Sequence, residues 1–99
     1  MMEIIKNTNG ETLTLNIVGR LDTTTAPELE NELKASLEGV NDLVLDLVDL
    51  DYISSAGLRV LLAAQKIMNK QGSMVIVNAK PEIMEVFEIT GFTDILTIK

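Results

Sequence analysis

The sequence predicts an α/β fold: a mixed β-sheet, opened by an N-terminal hairpin, with helices packed on it. Three observations carry this. An Asn9-Gly10 pair separates two β-rich segments, the strongest short-range signal for a hairpin. Beyond it, apolar runs short enough for strands alternate with stretches whose apolar residues recur every three or four positions. The resulting order is strand, strand, helix, strand, helix, strand, helix, strand, which implies parallel strands joined by right-handed crossovers beside one antiparallel pair.

In the second arm of the hairpin Leu13, Leu15 and Ile17 alternate with Thr12, Thr14, Asn16 and Val18, as a strand with one buried face requires. After "GRLD", the stretch "TTTAPELENELKASL" is predicted as the first helix. Thr25 and Glu28 have capping-box spacing, Pro27 falls in the first turn where its missing N–H is harmless, and Leu29, Leu33 and Leu37 form one apolar stripe. "DLVLDLVDL", residues 42–50, is expected as a single central strand. The second helix is expected from Ser55 to Asn69, with Leu58, Leu61, Leu62 and Met68 on one side and Val60, Ala64 and Ile67 extending it. Gly72 stops it, and "SMVIVN" supplies the next strand. A third helix begins around Ala79-Lys80-Pro81, carries Ile83, Val86, Phe87 and Ile89, and closes at Gly91 before a final strand, "DILTI".

At 99 residues one domain spanning 1–99 is expected, and 46% hydrophobic content is enough for a packed core rather than a disordered chain. Aromatic side chains make up 3%, so that core must be aliphatic. A net charge of -7 repels phosphate backbones and anionic lipid, which argues against nucleic acid and membrane surfaces as partners. With no cysteine, no disulfide or thiolate chemistry is open to the chain. "MMEIIKNTNG" lacks the features of a secretory signal, and the longest apolar run, "VLLAA", is far below the ~20 residues of a membrane span. A cytoplasmic location is expected.

Catalysis finds little support. A serine nucleophile needs a neighbouring base, yet the chain has no histidine, no Ser-x-x-Lys and no Gly-x-Ser-x-Gly elbow. Asp46, Asp49 and Asp51 lack the glycine turn and distal glutamate of a calcium loop, and read better as solvated strand-end carboxylates. No glycine-rich phosphate loop is present, so no cofactor is expected. What stands out is Ser54-Ser55-Ala56-Gly57, between a strand-like and a helix-like run. One serine has a ready explanation as a helix N-cap. The second hydroxyl does not, nor does Gly57, which costs a helix interior about 0.8–1.0 kcal/mol relative to Ala. Tight packing on the sheet and contact with a partner both account for Ala56-Gly57. A helix N-terminus also tolerates an added phosphate, whose charge faces free N–H groups.

These residues resemble the anti-sigma factor antagonists, the simplest members of the STAS (sulfate transporter and anti-sigma factor antagonist) family. "GRLDTTTAPELENEL" is similar to the family's Gly-x-Leu-Asp segment, "LVLDLVDLDYISSAGLRVLL" to its strand, phosphorylation loop and second helix, and "GFTDIL" also fits. The resemblance implies a STAS-like fold and no enzymatic activity. Anchored on Gly57-Leu58, it implies phosphorylation of Ser55. Ser54 stands where many relatives have Asp, and is the alternative site. It implies partner switching, in which the antagonist binds an anti-sigma factor that is also a serine kinase, is released when phosphorylated, and is reset by a serine phosphatase. Asp22, Thr23, Thr24, Ser54, Ser55, Ala56, Gly57 and Arg59 are then the expected partner-binding residues. Two other readings compete: a STAS-type scaffold subunit that binds constitutively, and an acyl-carrier-like protein, also small and acidic with a modified serine at a helix start.

Overall fold

The computed structural model describes residues Met2–Lys99. Its elements are β1 (Met2–Asn9), β2 (Thr12–Leu21), α1 (Ala26–Ser36), β3 (Asp42–Asp46), β4 (Leu50–Ile53), α2 (Ser55–Gln71), β5 (Ser73–Val77) and α3 (Pro81–Thr90), followed by a 3-10 turn at Phe92–Asp94. The sheet is mixed, as expected. β1 runs antiparallel to β2, whereas β3 and β4 both pair parallel with β2, and β5 pairs parallel with β3. The hairpin loop is Gly10-Glu11 rather than Asn9-Gly10, because Asn9 still pairs with Thr12.

The alternation in β2 does what period two requires. Leu13, Leu43 and Met74 lie in one cross-strand row and Leu15, Leu45 and Ile76 in the next, all of them buried. α1 and its C-cap add Leu29, Leu33 and Leu37 to the same cluster, and α2 adds Leu58, Leu61, Ala64 and Met68. Phe87 is the one buried aromatic among the described residues, so the core is aliphatic. The opposite sheet face carries Thr14, Val44 and Val75, half-buried, in register with one another.

Four further expectations are corrected. Residues 42–50 are not one strand: β3 ends at Asp46 and β4 starts at Leu50. Leu47 and Leu50 are both fully buried, whereas in a continuous strand a spacing of three would send them to opposite faces of the sheet. The intervening turn is closed by Leu47 O accepting from Leu50 N–H and by Asp46 Oδ1 accepting from Val48 N–H. The break lets β2 serve two partners in line, β3 beside Thr12–Asn16 and β4 beside Gly19–Leu21.

The final strand contracts to one bridge, Ile76 with Ile98, because the backbone of 94–96 is already bonded back to Gly91 and Phe92. Ile67 and Ile89, expected on apolar faces, are 40% and 78% exposed. Thr25 and Glu28 form no capping box: the Thr25 hydroxyl is engaged elsewhere, as described below. The five-stranded sheet removes the acyl-carrier reading, which requires an all-helical chain. No helix among the described residues is long and apolar enough to cross a membrane.

Gly72 follows α2 where the chain turns into β5. A Cβ there would lie 1.8 Å from the Asn41 carbonyl oxygen, which accepts the Ser73 N–H at 2.8 Å. Because the obstacle is backbone, Gly72→Ala is expected to destabilise by about 1–3 kcal/mol, read as a lower urea midpoint at unchanged slope.

Candidate functional site

Parallel pairing of β2 with β4 brings their C-terminal ends together, and α1 and α2 both start just beyond. Leu21 pairs with Ile53, and Ser54 N–H donates to Leu21 O at 2.9 Å, tying one helix start to the other. The residues expected from the sequence to meet a partner therefore occupy one edge of the sheet.

The first half of that edge is organised by Asp22. Its Oδ1 accepts from Thr24 N–H at 3.0 Å, Thr24 Oγ1 at 2.8 Å and Thr25 N–H at 3.2 Å. Asp22 thus satisfies N–H groups at the entry to α1, the work expected of Thr25. Thr25, buried, instead donates its hydroxyl to Arg20 O and accepts from Asp22 N–H, both at 2.8 Å. Hydrogen bonding from Thr24 foremost, with Thr25, holds the Asp22 carboxyl below the ordinary range near 3.8. Thr23 is exposed.

The second half separates the two serines. Ser54 is the N-cap of α2, with extended backbone and a side chain that accepts from Gly57 N–H at 3.4 Å. Ser55 is the first helical residue; it is exposed, and its hydroxyl has no hydrogen-bond partner among the described residues. Gly57 is buried, and a Cβ there would come within 2.7 Å of Leu21 Cγ and 2.9 Å of Ile53 Cγ1. Its role is internal: it lets α2 sit down on the ends of β2 and β4. Ala56 is half-buried against the core, and Arg59 is exposed one turn along α2 from Ser55.

Two neighbours were not legible as site residues. Arg20 stacks its guanidinium 4.1 Å from the centre of the Tyr52 ring and stands 3.7 Å from Asp22 Oδ2. They meet because β2 and β4 pair Arg20 with Tyr52, a register visible only once residues 42–53 are divided into two strands. The acidic run resolves into separate partners, Asp46 accepting from Asn78 and Asp51 pairing with Lys80, and no cluster suited to a metal ion occurs among the described residues.

Fold and edge together define a small α/β module that presents an unbonded hydroxyl at a helix start. The chain belongs to the STAS domain family, whose profile matches residues 3–99. It is 48% identical over 82 residues to BtrV of Bordetella bronchiseptica, covering 81% of this chain and 71% of that one. It is 35% identical over 91 residues to the anti-sigma-B factor antagonist of Bacillus subtilis, covering 91% and 84%. The crystal structure of an anti-sigma factor antagonist from Mycobacterium paratuberculosis superposes with a TM-score of 0.90 at 22% identity, covering 99% and 85%, and so shares the fold.

Two outcomes follow from the edge. Ser54→Ala is expected to destabilise by about 0.5–1 kcal/mol, the lower part of the range for a lost cap, and Ser55→Ala by less than about 0.5 kcal/mol; urea unfolding of both separates cap from free hydroxyl. Because the Asp22 pKa is lowered on folding, its ionised form stabilises the fold above pH 3.8 and that contribution disappears as pH falls below it. Asp22→Ala should therefore melt below the parent protein near neutral pH, and thermal scans at decreasing pH should show the gap closing under 3.8.

Proposed function

We propose that this chain is an anti-sigma factor antagonist that binds an anti-sigma factor with serine kinase activity, frees the sigma factor, and is switched off by phosphorylation of Ser55. The observation that carries the proposal is the division between the serines: Ser54 caps α2, whereas Ser55 is exposed and unbonded at the first helical position. A group added to Ser55 changes the surface without removing a bond from the fold. At that position the first-turn N–H groups receive an anion favourably, so about -1.5 to -2 charges are accommodated by the helix while they alter what a partner meets. Kinship with the Bacillus subtilis anti-sigma-B factor antagonist supports the antagonist role.

On this reading Asp22, Thr23, Thr24, Ser54, Ser55, Ala56 and Arg59 form the partner-binding edge, with Gly57 setting its geometry from beneath. The protein acts in the cytoplasm as one domain, as ligand and substrate of the kinase, and a serine phosphatase restores it.

The test is phosphopeptide mapping after incubation with ATP and the candidate anti-sigma kinase, with a known substrate as control for kinase activity. Phosphate on Ser55 is the expected result. Phosphate on Ser54 would move the site by one residue, and none on either would favour a constitutive scaffold. Ser55→Asp should bind the kinase at least about tenfold more weakly with an unchanged melting temperature. Ser55→Ala should bind and stay bound when ATP is added; its release would refute control by a single site.

A further inference from the structure

The charge of α2 is at odds with that of the molecule. The chain carries 15 acidic residues against 8 basic ones, yet the 17-residue α2 contains no carboxylate and has Arg59, Lys66 and Lys70. These three are exposed and fall at i, i+7 and i+11, in line on the outer face of the helix. Lys34 of α1 stands nearby across the α1/α2 junction. None of the four has a carboxylate within 4.0 Å among the described residues, whereas Lys6, Arg20 and Lys80 are all paired. In a molecule with an excess of carboxylates, a row of unpaired cations is a conspicuous feature of the surface.

Beside the row lies a shallow groove between α1 and α2. Its apolar lining is Leu33, Val60, Ala63, Ala64 and Ile67, with Glu30 and Lys34 at the rim. Ala63 and Ala64 keep its wall low, and Ile67 leaves an apolar side chain 40% exposed there. Arg59 and Val60 continue directly from the Ser55 edge, so a partner seated at the helix starts reaches the groove without leaving α2.

We infer that this groove takes an acidic amphipathic helix of the anti-sigma factor, its apolar face on Ala63 and Ile67 and its carboxylates toward Arg59, Lys66 and Lys70. The inference rests on the proposed function for the identity of the partner. From residue 59 to 70 the row is about 17 Å long, which fits three turns of a docked helix. A nucleic acid would meet the net charge of -7 and leave the apolar groove unused. A second copy offers the acidic α3 with its exposed Ile89 as a rival occupant, and the self-association outcome below separates it from the kinase helix.

Two probes test this: purified anti-sigma kinase, and a labelled helical peptide of about three turns with Leu on one face and Glu on the other, compared with a peptide bearing Lys for Glu. The variants are Ile67→Asp and the double change Lys66→Glu with Lys70→Glu. The second alters only exposed side chains, so it remains informative if the first is unstable. The parent protein is expected to prefer the acidic peptide by about tenfold or more, and each variant to lose about tenfold in affinity for peptide and kinase alike.

Kinase binding unchanged in both variants would overturn the groove and leave the proposed function standing. If the parent protein neither binds the kinase nor gains phosphate, the proposed function falls, and the peptide comparison decides the groove separately. Equal binding of the two peptides would overturn it. So would displacement of the acidic peptide by an oligonucleotide of equal charge, or self-association that the variants abolish.

Discussion

Everything at the helix-start edge depends on how closely α2 approaches the ends of β2 and β4. That approach has two components, the absence of a side chain at Gly57 over Leu21 and Ile53, and the hydrogen bond from Ser54 N–H to Leu21 O. Glycine in a helix costs about 0.8–1.0 kcal/mol of propensity, whereas full burial of one leucine contributes about 1.5–3 kcal/mol. Leu21, fully buried beneath Gly57, tips that balance toward the glycine. With the helix seated this low, Ser54 and Ser55 emerge beside the Asp22 loop instead of a side chain's width above it.

The edge is rigid on one side and open on the other. Asp22 gathers three donors from Thr24 and Thr25, and Thr25 binds back to Arg20 O, so the loop is cross-tied before any partner arrives. Arg20, laid over Tyr52, adds a cation close to the carboxylate. Ser55 and Thr23, by contrast, project into solvent. Ordered main chain beneath free side chains keeps the entropic cost of association down, because little backbone remains to be fixed.

The parts of this arrangement that were legible in the sequence are those governed by local periodicity. Leu13, Leu15 and Ile17 announced a half-buried strand, Leu29, Leu33 and Leu37 a helix stripe, and Gly72 and Gly91 the helix ends where the structure has them. Ser54 as a cap lay within reach of the same reasoning, although its pattern could not say which serine was free. Legibility failed where a residue's work is set by a distant strand. The capping-box spacing of Thr25 and Glu28 was real, but the Arg20 carbonyl and the Asp22 amide claim the threonine hydroxyl. The Arg20–Tyr52 pair depends on a register across more than thirty residues of sequence, and 94–98 read as a strand because its alternation persists at Leu96 and Ile98 while its backbone turns.

The bridge that remains there bears on the behaviour of the sheet in a crowded solution. A sheet with free rims is a template for other chains, since each rim presents unpaired N–H and C=O groups. At β5 the C-terminal segment occupies part of the rim: Ile76 N–H donates to Thr97 O, and Lys99 N–H donates to Ile76 O. At the other rim β1 is exposed over Lys6, Asn7, Thr8 and Asn9, a polar stretch with a charge that disfavours strand addition. One side is shielded by a few hydrogen bonds and the other by composition, which discourages edge-to-edge aggregation and leaves the helix starts free for reversible encounters.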